Sequence, residues 1–241
     1  MNIYDNPDFF KKYSQMSRSK KGLAGAGEWS TLKKLLPEFK DQAVLDLGSG
    51  YGWHCIYAVE QGASSVVGVE LSEKMLEIAK EKSNSRKIQY IKGDLETVEF
   101  PDASFDIILS SLVFHYIEDY DALIRRLYKM LKPNGNLIFT VEHPTFTAYG
   151  SQGWYYDENG EILHFPVDRY FYEGEREAVF LDQKMTKYHR TITTYVDTLL
   201  QNGFRIDRVV EPMPPKNMLD QAGMLDEMRR PMMLIISAIK N

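Results

Sequence analysis

A chain of 241 residues with 44% hydrophobic side chains is long enough for one domain with a sizeable core. Its 29 basic and 34 acidic residues leave a net charge of −5, which offers a polyphosphate no global attraction and argues against a nucleic-acid partner. The single cysteine, Cys55, excludes an intrachain disulfide and a thiolate zinc centre. The charge-mixed N-terminus and a longest apolar run of eight residues, "MMLIISAI", read as a soluble, cytoplasmic protein with no membrane partner.

Residues 1–40 are expected to form a helical cap of two helices ending at Pro37. From Ala43 to Val141, short β-type runs at 43–47, 65–70, 87–92, 104–110 and 135–141 alternate with helical patterns, the signature of a parallel sheet covered by helices. Within "SEKMLEIAKEKS", Ser72 is placed to cap a helix that carries Met75, Ile78 and Ala79 on one face. "DYDALIRRLYKMLKPNG" does the same with Leu123, Ile124, Leu127, Met130 and Leu131, and Pro133, Asn134 and Gly135 are expected to stop that helix and turn the chain into the next strand. Residues 142–190 show no clean period. They hold 11 of the chain's 30 aromatic residues in a stretch of 49, too long for a simple connection, and read as a lid or pocket-forming insertion. A helix in "TTYVDTLLQNGF", stopped at Gly203, and strands in "FRIDRVVEP" and "MMLIISAIK" complete the chain. The organisation expected is thus one domain, 1–241, with a cap at 1–40, a core at 41–141, an insertion at 142–190 and the rest of the sheet at 191–241.

The stretch "VLDLGSGYGWH" is a strand that runs into Gly48, Ser49 and Gly50 and then a helix. The missing Cβ atoms let a ligand touch the backbone and the helix N-terminus. A dinucleotide fingerprint would place its third glycine three residues after Gly50, whereas Gly52 comes after two, with Trp53 next. Asp46 would repel a pyrophosphate and suits a ligand with a positive charge. A nicotinamide oxidoreductase is therefore disfavoured. Glu70 closes the second strand twenty residues after Gly50, where a carboxylate can accept both hydroxyls of a ribose. Asp94, with the Leu95 amide, closes the third strand, where it can read an adenine edge. Three acids at three successive strand ends form a line, and ligands of parallel sheets bind outside the carboxyl ends of the strands.

On these residues the sequence resembles the class I S-adenosylmethionine-dependent methyltransferases, especially the small-molecule branch similar to the ubiquinone/menaquinone-biosynthesis and type 11 enzymes. "VLDLGSGYGWH" looks like the family's glycine motif, "VVGVELSEKMLEIAK" its acidic second motif, "IKGDLETVEFPDASFDIILSSLVFHYIED" its third and fourth, and "LKPNGNLIFTVEHP" its fifth. The resemblance covers about residues 40–211. It implies an α/β, Rossmann-like fold: a seven-stranded, mostly parallel sheet with an antiparallel last strand and helices on both faces. It also implies S-adenosyl-L-methionine as cofactor, contacted by Asp46, Gly48, Ser49, Gly50, Glu70, Leu71, Met75, Gly93, Asp94, Leu95 and Ser110. Asp46 would orient the aminocarboxypropyl end, whose ammonium is positive.

The expected activity is transfer of a methyl group, without a metal, to a small-molecule acceptor at O, N or C. A protein that binds the cofactor without turnover is the alternative. The sulfonium carries its own activation, so the protein mainly aligns a nucleophile and, where needed, removes its proton. The family's branch that methylates bases of nucleic acids carries an Asn/Asp-Pro-Pro-aromatic sequence after its fourth strand, and "SSLVFHY" here departs from it. Candidate catalytic residues are His115, His143 and His189. Each has a plainer reading: a histidine packed at a helix start, a turn residue before Pro144, and a helix cap. Glu142 and Ser110 follow the same strands. Tyr13, Tyr116, Trp154 and Arg190 are the candidate substrate-side residues, Arg190 as a bidentate partner for a carboxylate or phosphate. Tyr13, Met16, Arg18 and the segment from Gly25 to Trp29 lie where related enzymes fold a helix over the cofactor. The oligomeric state, monomer or homodimer, is left open.

Overall fold

The computed structural model describes residues 3–241. The chain starts with three short helices, α1 (Pro7–Tyr13), α2 (Ser17–Lys21) and α3 (Trp29–Leu32), where two were expected. The glycines of "KKGLAGAG" explain the difference. Gly22 ends α2 in a left-handed conformation, φ 60°, and only a 3₁₀ turn spans Gly22–Gly25.

Strand β1 (Ala43–Leu47) leads through the glycine loop into α4 (Trp53–Glu60), followed by β2 (Ser65–Glu70) and α5 (Glu73–Lys82). Ser72 caps α5, its hydroxyl accepting from Met75 N. Then come β3 (Ile88–Lys92), β4 (Phe105–Ser111), α6 (Tyr120–Met130), capped by Asp119, and β5 (Leu131–Glu142). Pro133, Asn134 and Gly135 do not precede β5 as a turn but lie inside it. The strand pairs at once, Phe105 with Leu131, and slips register before Ile107 meets Asn136, with Asn134 at φ 62° taking up the slack.

The insertion is built from α7 (Pro144–Ala148) and two hairpins, β6 (Tyr155–Tyr156) with β7 (Ile162–His164) and β8 (Gly174–Phe180) with β9 (Gln183–His189). Its period was hidden for a physical reason. The inward positions of β9 are Met185, Lys187 and His189, so two polar side chains stand where a strand pattern wants apolar ones. The turn, Leu181–Asp182, is left-handed at both residues without a glycine. Helix α8 (Ile192–Gln201) and strands β10 (Phe204–Val210) and β11 (Met233–Lys240) complete the fold.

The seven-stranded sheet has the order β10-β11-β5-β4-β1-β2-β3. The pairs among β3, β2, β1, β4 and β5 are parallel, and β11 runs antiparallel to both of its neighbours. This is the Rossmann-like α/β architecture expected. Alternation along β1 feeds two cores. Leu45 and Leu47 join the layer under α6 and α8, while Val44 joins the layer with Cys55 and Ala58 of α4. The crossover helices therefore leave the carboxyl ends of five parallel strands along one open edge.

Candidate active site

The register brings Leu47, Val69 and Ser110 to their strand ends side by side, so the segments that follow meet at one place. They wall a cavity of about 530 Å³. Gly48 and Ser49 donate their amides to Val69 O, which folds the glycine loop back over β2. Gly50 donates to Glu70 Oε2 at 3.0 Å, and Leu71 and Ser72 both donate to Oε1 at 2.9 Å, so Glu70 is fixed at the mouth of its strand. Burial pushes its carboxyl up, against the pull of those three amides. Gly50 sits at φ 52°, and a Cβ added there would meet no atom within 4 Å: the space above it is cavity. Leu71, Met75, Asp94 and Leu95 line the same end, and Asp94 Oδ1 accepts from Glu96 N at 2.9 Å.

A smaller recess of about 80 Å³ adjoins the cavity and shares Tyr13, Arg18, Gly48 and Gly50 with it. Ser49 and Glu28 line the recess. Glu28 Oε1 pairs with Arg18 Nη2 at 2.6 Å, while its Oε2 and Ser49 Oγ are buried without a hydrogen-bond partner among the described residues. Buried polar atoms of this kind are normally satisfied, so they point to a ligand with polar groups. An amino-acid head fits the recess, with Glu28 and Ser49 for an ammonium and Arg18 for a carboxylate. A hydroxylated nucleoside fits the end with Glu70, Asp94 and the open face of Gly50.

At the far end of the cavity the wall comes from β5, the turn after β4, the residues before α1 and the β8–β9 hairpin. Glu142 Oε1 accepts from Lys187 Nζ and Oε2 from Gln152 Nε2, both at 2.7 Å, and Lys187 also donates to Gln152 Oε1 at 2.8 Å. Burial alone would raise the Glu142 carboxyl. His115, Lys187 and Gln152 outweigh it and hold the group below its usual range. His115 Nδ1 accepts from Glu142 N at 3.3 Å, which puts the ring proton on Nε2. Burial drives the His115 pKa down to about 4, Glu142 opposing and Lys187 and Arg190 reinforcing the shift, so the ring is neutral. Tyr4 and Tyr116 lie in the same wall, and burial pushes both phenols up and keeps them protonated.

Several expected contacts fall elsewhere. Asp46 shares the face of Val44 and points under α4, where Oδ2 accepts from Cys55 Sγ at 3.2 Å. It lines neither cavity nor recess, so a direct contact with a ligand's ammonium is replaced by a buried acid behind the loop. Ser110 Oγ donates to Leu47 O, and Gly93 N donates to Glu70 O at 3.1 Å; both support the strand ends from behind. His143 caps α7 by accepting from Thr145 N, and its Nε2 lies 2.9 Å from Glu211. His189 has both nitrogens engaged, Nδ1 with Thr147 Oγ1 and Nε2 with Tyr170 O. Neither histidine lines the cavity: His189 is held between Thr147 and Tyr170 within the insertion, and His143 is turned to Thr145 and Glu211. Arg190 donates to the carbonyls of Phe114, Ile117 and Glu118 and is not open to an anion. Trp154 packs on Phe165 and under the guanidiniums of Arg229 and Arg230, outside the cavity. Of the expected catalytic and substrate-side residues, His115, Tyr13 and Tyr116 line the cavity.

The site also uses residues with no distinct mark in the sequence. Lys187 and Gln152 sit in a segment without visible period, and Tyr4 belongs to a short helical turn whose path the sequence leaves open; Glu28 lies in the Gly25–Trp29 segment expected over the cofactor, though nothing there marks its carboxylate. Leu112 holds a left-handed conformation, φ 58°, on the cavity wall, its amide donating to Thr140 O and Oγ1.

A family model described as a methyltransferase domain matches residues 45–139. The chain is 52% identical to a Listeria monocytogenes protein whose crystal structure was assigned as an S-adenosylmethionine-dependent methyltransferase. That match covers 91% of this chain and 99% of that one, with a TM-score of 0.87. It is 39% identical to an S-adenosylmethionine-dependent methyltransferase from Mesorhizobium loti, covering 91% of this chain and 100% of that one, with a TM-score of 0.84. Phosphoethanolamine N-methyltransferase 3 of Arabidopsis thaliana is 36% identical over 121 residues, 49% of this chain and 24% of that protein, so the chain spans about a quarter of that relative's length.

Proposed function

The chain belongs to the S-adenosylmethionine-dependent methyltransferases, and we propose that it methylates a small molecule held between the strand ends and the insertion. One observation carries this reading: a single cavity runs from the Gly50–Glu70–Asp94 end to the His115–Glu142 end. The proposed cofactor contacts are Glu70 on the ribose, Asp94 and Leu95 on the adenine, Leu71 and Met75 beside them, and Gly48, Ser49 and Gly50 along the backbone. Arg18 and Glu28 take the amino-acid head. When bound, S-adenosylmethionine supplies a methyl carbon already activated by its sulfonium. The chain's own part is to align the acceptor, exclude water and stabilise the charge that moves toward it.

The division of labour follows the chain. Residues 41–141 hold the nucleoside end of the cofactor, and the cap at 1–40, whose first two residues lie outside those described, takes its amino-acid head and covers it together with the insertion at 142–190. Phe9 of α1 packs edge-on against Phe180 at 5.9 Å, and Lys12 pairs with Asp182 at 2.6 Å, so cap and hairpin meet over the cavity. Such a roof suits a small acceptor better than a nucleic acid, in keeping with the net charge of −5. The test is label transfer from methyl-labelled S-adenosylmethionine into the small-molecule fraction of a bacterial cell extract. Label in a new product that is absent with Gly50→Val supports the reading. Tight cofactor binding with no transfer to any component contradicts it.

A further inference from the structure

The far end of the cavity has the wrong charges for a phosphorylated acceptor. Lys184 is the one basic side chain among the described residues that lines this end, at the rim in an exposed pair with Glu177 at 2.9 Å; Arg18, the other in the cavity, sits at the recess beside Glu28. The neighbouring cations are also committed, Lys187 to Glu142 and Gln152, and Arg190 to backbone carbonyls. A phosphate would need a cluster of free donors there. The wall presents a carboxylate instead. Lys187 and Gln152 each take one site on Glu142, and a carboxylate has about four lone-pair sites, so its cavity side can still receive a donor. His115 Nε2, the nearest ring donor, stands 4.0 Å away, too far to occupy that side with a hydrogen bond.

The same wall has no base suited to an alcohol. His115 carries its proton on Nε2, Tyr4 and Tyr116 are held protonated, and Glu142 is held ionised as a weak base. An amine that has released its ammonium proton to solvent on entering the cavity needs no base on the wall before it attacks, and it gains positive charge as it does so, which a fixed carboxylate stabilises. On the methyltransferase reading given above, we propose that the acceptor is a non-phosphorylated primary or secondary amine whose N–H is received by Glu142. The nitrogen lone pair forms the new N–CH₃ bond while the CH₃–S bond breaks and its electron pair stays on sulfur. The positive charge passes from sulfur to nitrogen, and the methylammonium then loses a proton to solvent.

The labelled-methyl assay decides this with a deproteinised bacterial extract used in three portions: untreated, acylated with an N-hydroxysuccinimide ester that blocks primary and secondary amines, and treated with phosphatase. The expected result is label incorporation in the first and third portions and its loss in the second. Label that survives acylation, or that disappears after phosphatase, overturns the amine assignment while leaving the methyltransferase reading intact. No label in the untreated portion overturns both. Glu142→Gln leaves Lys187 without its charge partner, so the double variant Glu142→Gln/Lys187→Met provides the folded comparison. Transfer should fall about a hundredfold in it with S-adenosylmethionine affinity unchanged. Undiminished transfer would remove Glu142 from the acceptor site.

Discussion

Glu70 is the side chain on which cofactor recognition should depend most. Its carboxylate is pre-set by three backbone amides and faces the cavity. Glu70→Ala is therefore expected to weaken S-adenosylmethionine binding by about 1.5–3 kcal/mol, the range for lost hydrogen bonds to a charged group. Calorimetric titration of the folded variant checks this, and unchanged affinity would place the ribose elsewhere. Gly50→Val acts differently. Because nothing lies within 4 Å of the added Cβ, the folding cost is mainly the left-handed backbone, about 1–2 kcal/mol, while the ligand's space is filled. A folded protein that no longer binds the cofactor is the expected outcome.

His115 makes stability depend on pH. Its folded pKa, about 4, lies below the ordinary 6.5, so between those values the unfolded chain binds the extra proton. The stabilisation from neutral His115 is complete above pH 6.5 and is lost as pH falls toward 4. Denaturant titrations of His115→Gln should show a shallower decline across that window than the parent protein. An identical slope would contradict the assignment. That Glu70, Asp94, Gly48 and Gly50 line the cavity was legible in the sequence, because an acid or a glycine at or just past the end of a parallel strand needs little further context. The direction of Asp46 was not, since it depends on the parity of β1: one residue either way separates the layer under α4 from the layer under α6.

The β8–β9 hairpin is joined to the sheet by a buried ion pair. Lys187 is 3% exposed and Glu142 14%, so removing either partner strands a charge out of water. Lys187→Met alone is expected to destabilise the fold by about 3–5 kcal/mol, and adding Glu142→Gln should recover part of that loss. Additive effects in a denaturant double-mutant cycle would mean that the pair is not coupled. The helices and strands of the parallel core were readable from their periodicity to within a residue or two, except the start of β5, which pairs from Leu131 rather than from the expected 135. The hairpin was not, because its inward positions carry Lys187 and His189, partners to Glu142 and Thr147 that only the fold brings near. The same blindness turned His143 and His189 into expected catalysts. A histidine's partners decide whether it is free to act, and they lie 42 residues away for His189 and 68 residues away, at Glu211, for His143.

Taken as a whole, the molecule has one cavity with two chemically different ends. On the reading proposed above, the ends of β1, β2 and β3 with Arg18 and Glu28 of the cap would hold the cofactor, while β4, β5, the residues before α1 and the insertion would surround the acceptor. Replacing residues 145–188 with a short Gly/Ser linker should leave S-adenosylmethionine affinity nearly unchanged and abolish turnover, since Lys187, Gln152 and Phe180 leave together. Retained turnover would mean that the cap alone forms the acceptor pocket. The most direct measurement of the central claim is the crystal structure of the protein with S-adenosylhomocysteine. It should show the ribose hydroxyls within hydrogen-bond distance of Glu70, the amino-acid head beside Ser49, Arg18 and Glu28, and the sulfur open toward His115 and Glu142. A nucleoside seated away from Glu70, or a sulfur facing away from Glu142, would contradict it.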